Sequence, residues 1–66
     1  MLKHEVWVHE GTNKEYVVIN EGKIKIHHLW EDSVSYQRLS YKDTDDTETV
    51  YTRAKYDFLK IFKPKI

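Results

Sequence analysis

The chain has no cysteine, one proline and two glycines among its 66 residues. Without a thiol, it can form no disulfide, thiolate metal site or cysteine nucleophile. Small secreted domains usually depend on disulfides, so the sequence predicts a reducing compartment, the cytoplasm. Gly11 and Gly22 each fall in a polar turn segment, which leaves no glycine-rich loop for phosphate binding.

Long apolar runs and a net charge are also missing. The longest clearly apolar stretch, residues 16–19, is far shorter than the roughly 20 residues that span a bilayer. Residues 1–5 are too polar for a signal peptide. Eleven basic residues balance eleven acidic ones, so no overall charge attracts nucleic acid or membrane. We therefore expect a cytoplasmic protein with no membrane partner.

The composition is that of a small folded domain. Aromatic residues make up 14% of the chain and hydrophobic residues 39%, which excludes a disordered tail. A chain of this length has room for one core and no second domain. We therefore expect a single domain over residues 1–66.

Period-two alternation of apolar and polar residues predicts five short strands. They lie around Val6 and Val8, at 16–19, at 23–30, at 34–41 and at 49–52, and polar segments at 11–13, 20–22 and 31–33 separate the first four. The pattern predicts a mainly β fold, either a five-stranded antiparallel SH3-like barrel or a bent sheet. With so few glycines, bends would need β-bulges at positions such as Gln37-Arg38.

A short C-terminal helix is predicted where the period changes after Arg53. Apolar positions then recur every three or four residues, and Pro64 would end the helix. On a barrel, two aromatic side chains of this segment would plug one open end. The positions that carry the helical period are Ala54, Asp57, Phe58, Ile61 and Phe62.

Charge is distributed unevenly along the chain. Residues 42–48 hold one base and four acids, and residues 53–65 hold five bases and one acid. The acidic segment lacks the glycine and the final glutamate of a calcium-binding loop. It either keeps a hairpin soluble or docks on a basic partner. The residues that would contact that partner are Asp43, Asp45, Asp46 and Glu48.

The chain offers little for metal binding or catalysis. His27 and His28 are adjacent, so on a strand they point to opposite faces and cannot bind one ion. No serine is flanked by the glycines of a nucleophile elbow. We therefore expect no metal, no cofactor and no catalytic residue, and we predict that the protein is not an enzyme.

The aromatic residues support three alternative functions. Trp7, Trp30 and Tyr36 either form core mass or anchor a protein partner on an exposed patch. Small barrels also bind single-stranded nucleic acid through aromatic rings that lie beside basic side chains. The third alternative is a structural domain that self-associates. The basic residues that would contact nucleic acid are Arg38, Arg53, Lys55 and Lys60. In the alternative interpretation they form a solvated face.

Several short motifs resemble a family of small uncharacterised bacterial and phage proteins. They are Trp7-Val8-His9 with Gly11, Tyr16-Val17-Val18, Val34-Ser35-Tyr36-Gln37, and Val50-Tyr51-Thr52-Arg53 leading to Asp57-Phe58. Ala54 replaces the family's usual proline, and the acidic loop is longer. The resemblance implies a small β fold and a bacterial or phage origin. Together with the residues above, it predicts a non-enzymatic protein-interaction module, such as a phage or prophage accessory protein that modulates a host protein.

Overall fold

A computed structural model describes residues 3–40 and 47–65 of the chain. In chain order the elements are β1 (Val6–His9), β2 (Glu15–Ile26), β3 (Leu29–Leu39), β4 (Val50–Ala54), α1 (Lys55–Ile61) and β5 (Phe62–Pro64). All strand pairs are antiparallel, in the order β4-β3-β2-β1-β5. The prediction of a mainly β fold with five antiparallel strands and a short helix is confirmed. The sheet does not close, because β4 and β5 remain its edges, so the predicted barrel is not seen.

The longest strands differ from their predicted boundaries. β2 runs straight through residues 20–22, where the sequence predicted a turn, and the chain reverses instead at His27 and His28. Both histidines have positive φ, 50° and 68°, as a two-residue hairpin turn with the right twist requires. The alternation did not indicate this turn, because apolar residues lie directly before and after the two histidines. Ile26 and Leu29 are strand partners across the turn.

The bulge also lies elsewhere than predicted. Gln37 and Arg38 pair regularly with Val17 and Tyr16. The register shifts instead between Val18 and Asn20. One extra residue there moves the later part of β2 to the opposite parity. Val18 precedes the shift, pairs with Tyr36 and is fully buried.

The predicted helix exists but ends before Pro64. α1 spans seven residues, and Phe62 takes an extended conformation at its C-terminal end. Phe62 then starts β5 by pairing with His9 of β1. Since Pro64 cannot donate a ladder hydrogen bond, its place on an edge strand is one of the few that a sheet allows.

The core lies between α1 and one face of the sheet, which we call the inner face. Phe58 is fully buried; its ring stacks on Phe62 at 4.4 Å and meets Trp7 edge-on at 5.2 Å. The Trp7 indole donates a hydrogen bond to Glu5 Oε1 at 3.1 Å, which satisfies its buried donor. The buried apolar cluster consists of Trp7, Val18, Val34, Tyr36, Phe58 and Phe62.

Candidate functional site

The helix leaves part of the inner face uncovered. An α-helix about 10 Å wide covers only about three residues of each strand that it crosses. Val34 and Tyr36 of β3 are buried in the core that α1 covers. Beside them lies a cavity of about 190 Å³, which we call the Tyr–Arg cavity. Its lining residues are His9, Tyr16, Tyr36, Tyr51, Arg53 and Phe62.

Three tyrosines form one wall of the Tyr–Arg cavity. Tyr36 is the direct strand partner of Tyr51, and their rings stack at 5.7 Å with an interplanar angle of 25°. Tyr16 meets Tyr36 edge-on at 5.4 Å and Tyr51 at 6.3 Å. Mutual contacts of this kind hold the rings in fixed orientations, so the wall is preformed.

Arg53 brings a positive charge to the same cavity. Its Nε donates a hydrogen bond to the Tyr36 hydroxyl at 3.3 Å, and its side chain is half-buried. Within residues 3–40 and 47–65, no carboxylate forms a salt bridge with Arg53. A guanidinium has five N–H donors, so most of them are left for a ligand in the cavity.

His9 and Phe62 complete the lining of the Tyr–Arg cavity, and Gly11 contacts the His9 ring. The Gly11 backbone N–H donates to His9 Nδ1 at 3.1 Å, and the imidazole meets Phe62 edge-on at 5.1 Å. A Cβ at position 11 would lie 3.1 Å from His9 Cε1. Glycine therefore allows the turn to approach the ring and to fix its orientation.

Partial burial raises the pKa of Tyr16, and the nearby positive charge of Arg38 opposes this effect. Tyr16 therefore keeps its proton at neutral pH. Its hydroxyl can serve as a hydrogen-bond donor at the cavity.

Two edge strands border the sheet, and they differ in how they are protected. β5 has three residues, ends in Pro64 and carries Lys63, with Lys65 next to it. Short length, proline and lysine are the usual protections against unwanted strand pairing. β4 has five residues, contains no proline, glycine or lysine, and exposes 51% of Val50 and 42% of Tyr51. The β4 edge is therefore the one suited to accept another strand.

The predicted aromatic patch is not assembled. Trp7 and Tyr36 are only 7% and 5% exposed, because both pack in the core with Phe58. Their burial agrees with the alternative of aromatic core mass, and a role of either residue in partner binding stays a prediction. Trp30 is 67% exposed, next to the β2–β3 turn, with Lys25 Nζ 5.9 Å from its ring centre.

The predicted acidic contact residues lie mostly outside the described residues, as Asp43, Asp45 and Asp46 do. Glu48 is exposed, and its backbone carbonyl accepts a hydrogen bond from Gln37 Nε2 at 2.9 Å. The proposed role of this loop in binding a basic partner stays a prediction.

The four basic residues that were predicted to contact nucleic acid do not share one surface. Arg38 pairs with Tyr16 across the strands, so it lies on the inner face with Arg53. Lys55, at the start of α1, forms a salt bridge with Glu21 at 3.1 Å. The amino group of Lys60, on exposed helix surface, lies 5.9 Å from the Tyr56 ring. Only the two arginines can act with the tyrosine wall.

Other kinds of site find no support in the described part of the chain. Residues 3–40 and 47–65 contain no group of three or more side chains that could hold a metal ion. Over the same residues, no helix is long and apolar enough to cross a membrane.

Comparison with known protein families, curated proteins and solved structures finds no match to the chain. The resemblance to small bacterial and phage proteins therefore stays a prediction. The sequence analysis did not single out Tyr51 as a site residue or β4 as an open edge. The predicted strand ended at Thr52, whereas β4 continues through Ala54. Tyr51 and Arg53 are two residues apart on it, which places both side chains on the same face.

Proposed function

We propose that the protein is a non-enzymatic protein-interaction module that binds an extended segment of a partner along the outer edge of β4. The observation that carries the proposal is the β4 edge, which contains no proline, glycine or lysine and lies directly beside the Tyr–Arg cavity. In strand addition, main-chain hydrogen bonds to an edge provide affinity, and pockets for alternate side chains provide specificity. β4 offers both, because Tyr51 and Arg53 belong to the edge strand and line the cavity.

The difference between the two edges supports this function. An exposed edge rich in β-branched and aromatic residues promotes aggregation unless it is protected. The β5 edge combines short length, proline and lysine, whereas the only charged residue of β4 is Arg53, whose side chain lies on the inner face and lines the cavity. Among the described residues, β4 is thus the less protected edge. A binding role explains this difference. Under this proposal the partner is a bacterial host protein, as the resemblance to phage proteins implies.

A peptide-display selection against the full chain tests the proposal. Peptides selected on the wild-type protein are measured again on Val50→Lys, which adds a protective charge to the β4 edge. The matched control is Leu59→Lys, because Leu59 is 50% exposed on α1 and Val50 is 51% exposed on β4.

We expect Val50→Lys to weaken binding about tenfold or more, since one edge charge disfavours strand addition, and Leu59→Lys to bind as the wild type does. Equal binding by Val50→Lys, or a selection that yields no peptide, would contradict the proposal. Sedimentation at the same concentrations separates partner binding from the alternative of a self-associating structural domain.

Single-stranded nucleic acid is the second candidate ligand, because the tyrosine wall and Arg53 combine ring faces with positive charge. Stacking on such rings contributes about 1–3 kcal/mol per base. The test is a fluorescence titration with an eight-nucleotide oligothymidylate at two salt concentrations. Binding that depends on Arg53 and falls steeply with salt would favour this candidate, whereas no binding at low salt would eliminate it.

A further inference from the structure

We infer that the β4 edge selects segments in which an acidic side chain lies two residues from an aromatic one, with the carboxylate bound by Arg53. This inference rests on the proposed function, and it specifies the chemistry of the partner. It follows from the alternation of side chains along β4 and from the charge of Arg53, which forms no salt bridge with any acid among residues 3–40 and 47–65.

The faces of β4 are fixed by its pairing with β3. Tyr51 and Arg53 pair with the buried residues Tyr36 and Val34, so both side chains lie on the inner face. Thr52 lies on the outer face, where its hydroxyl is hydrogen-bonded to that of Ser35 at 2.9 Å. A strand added beyond β4 would therefore place two of its own side chains, two residues apart, opposite Tyr51 and Arg53.

The position opposite Arg53 favours a carboxylate. The Arg53 Nε is already used by the Tyr36 hydroxyl, and the remaining N–H groups can form a bidentate pair with one carboxylate. Among the described residues, no acid forms a salt bridge with Arg53. A lysine at this position of the partner would instead place two like charges side by side, which destabilises a strand pair.

The position opposite Tyr51 favours an aromatic ring. Tyr51 is 42% exposed although its ring stacks on Tyr36, so part of the ring surface is open at the edge. Cross-strand aromatic pairs are among the most favourable in sheets. For an antiparallel partner the order is acid, any residue, aromatic; for a parallel partner the order is reversed.

Two synthetic peptides test the inference on the full ¹⁵N-labelled chain. The first is a capped ten-residue peptide of alternating threonine and valine that carries one glutamate and, two residues later, one tyrosine. The second has lysine in place of the glutamate. Affinity is measured by calorimetry, and the site of contact is mapped by backbone amide shifts along β4.

We expect the glutamate peptide to bind about 10-fold to 100-fold more tightly than the lysine peptide, the range for a hydrogen-bonded charge pair. Arg53→Gln should remove most of that difference. Arg38→Gln, an arginine on the same face outside the cavity lining, should preserve it. Arg53→Glu should reverse the preference, which a variant that merely failed to fold could not do.

The outcomes separate the inference from the function on which it rests. If both peptides bind β4 with equal affinity, strand addition stands and the acidic selectivity is wrong. If neither peptide shifts the β4 amides while the oligothymidylate does, the proposed function fails together with the inference. Equal binding of the glutamate peptide to wild type and Arg53→Gln would also overturn the inference.

Discussion

Replacing Phe58 with alanine should remove the main anchor of α1 on the sheet. Phe58 is the one buried residue of this helix, and it is fully inaccessible to solvent. Its ring contacts three others: Phe62 at 4.4 Å, Trp7 at 5.2 Å and Tyr36 at 5.4 Å. Phe58 therefore contacts the three other aromatic residues of the buried cluster.

The expected cost is a large part of the total stability. A buried Phe→Ala substitution costs about 3–5 kcal/mol, and each aromatic pair adds about 0.5–1.5 kcal/mol beyond its buried area, which places Phe58 near the top of the range. At about 0.05–0.15 kcal/mol per residue, a chain of this length has about 3–10 kcal/mol of stability in all. We therefore expect Phe58→Ala to lose about half of the total stability or more.

Urea unfolding followed by tryptophan fluorescence and far-UV circular dichroism measures the effect. Leu59→Ala is the matched control, because this neighbour is 50% exposed on the same helix and should change stability by about 0.5 kcal/mol or less. A loss below about 1 kcal/mol for Phe58→Ala would refute the anchoring role, given the 3–5 kcal/mol expected for a buried ring. An equal loss for Leu59→Ala would show that the burial of Phe58 is not what distinguishes it, because alanine has the highest helix propensity and neither substitution lowers stability through propensity.

Three further predictions concern the turn, an ion pair and a tyrosine. His27→Asn with His28→Gly should stabilise the protein by about 1 kcal/mol in urea unfolding, because both positions have positive φ. No gain would mean that the β2–β3 turn unfolds locally before the rest of the protein unfolds. The hydrogen bond from Lys23 lowers the pKa of Asp32, so this pair stabilises the fold above the unfolded-state pKa of about 3.9 and the effect disappears as the pH falls through the folded value. Asp32→Asn should thus be less stable than wild type at pH 7 and equal to it near pH 2, and a difference that persists at pH 2 would exclude an ionic origin. Because burial raises the pKa of Tyr16, Tyr16→Phe should remove a phenolate step that lies above the ordinary tyrosine value of about 10 in an ultraviolet titration, and persistence of that step would assign it to another tyrosine.

The sequence predicted the type of element better than its ends. Period-two alternation correctly indicated β1 and the sheet, and the change of period near Arg53 correctly indicated α1. The turn was misplaced because asparagine and glycine near positions 20–22 are strong turn formers, whereas two histidines are not. Long-range pairing keeps residues 20–22 in a strand, since β3 pairs with β2 on both sides of position 20.

The candidate site was harder to predict than the fold. Alternation shows that Tyr51 and Arg53 share a face, but not which face the helix covers or which strand forms an edge. β5 illustrates the difficulty, because Phe62 continues the helical period and yet leaves the helix to pair with His9. Burial of Trp7 and Tyr36 depends on where α1 crosses the sheet, which no local pattern specifies.

The cavity beside β4 is a consequence of how short the connections around α1 are. Ala54 is still paired with Ser33 in β4, and Phe62 already begins β5, so no loop residue lies at either end of the seven-residue helix. Such a helix is about 10 Å long, whereas five flat strands span about 19 Å between their outer members, so the sheet must curve around α1 for the chain to reach the opposite edge. A helix held between two strands in this way cannot slide along the inner face to cover the tyrosine wall. In the folded protein α1 therefore leaves the cavity uncovered, and binding there requires no displacement of α1.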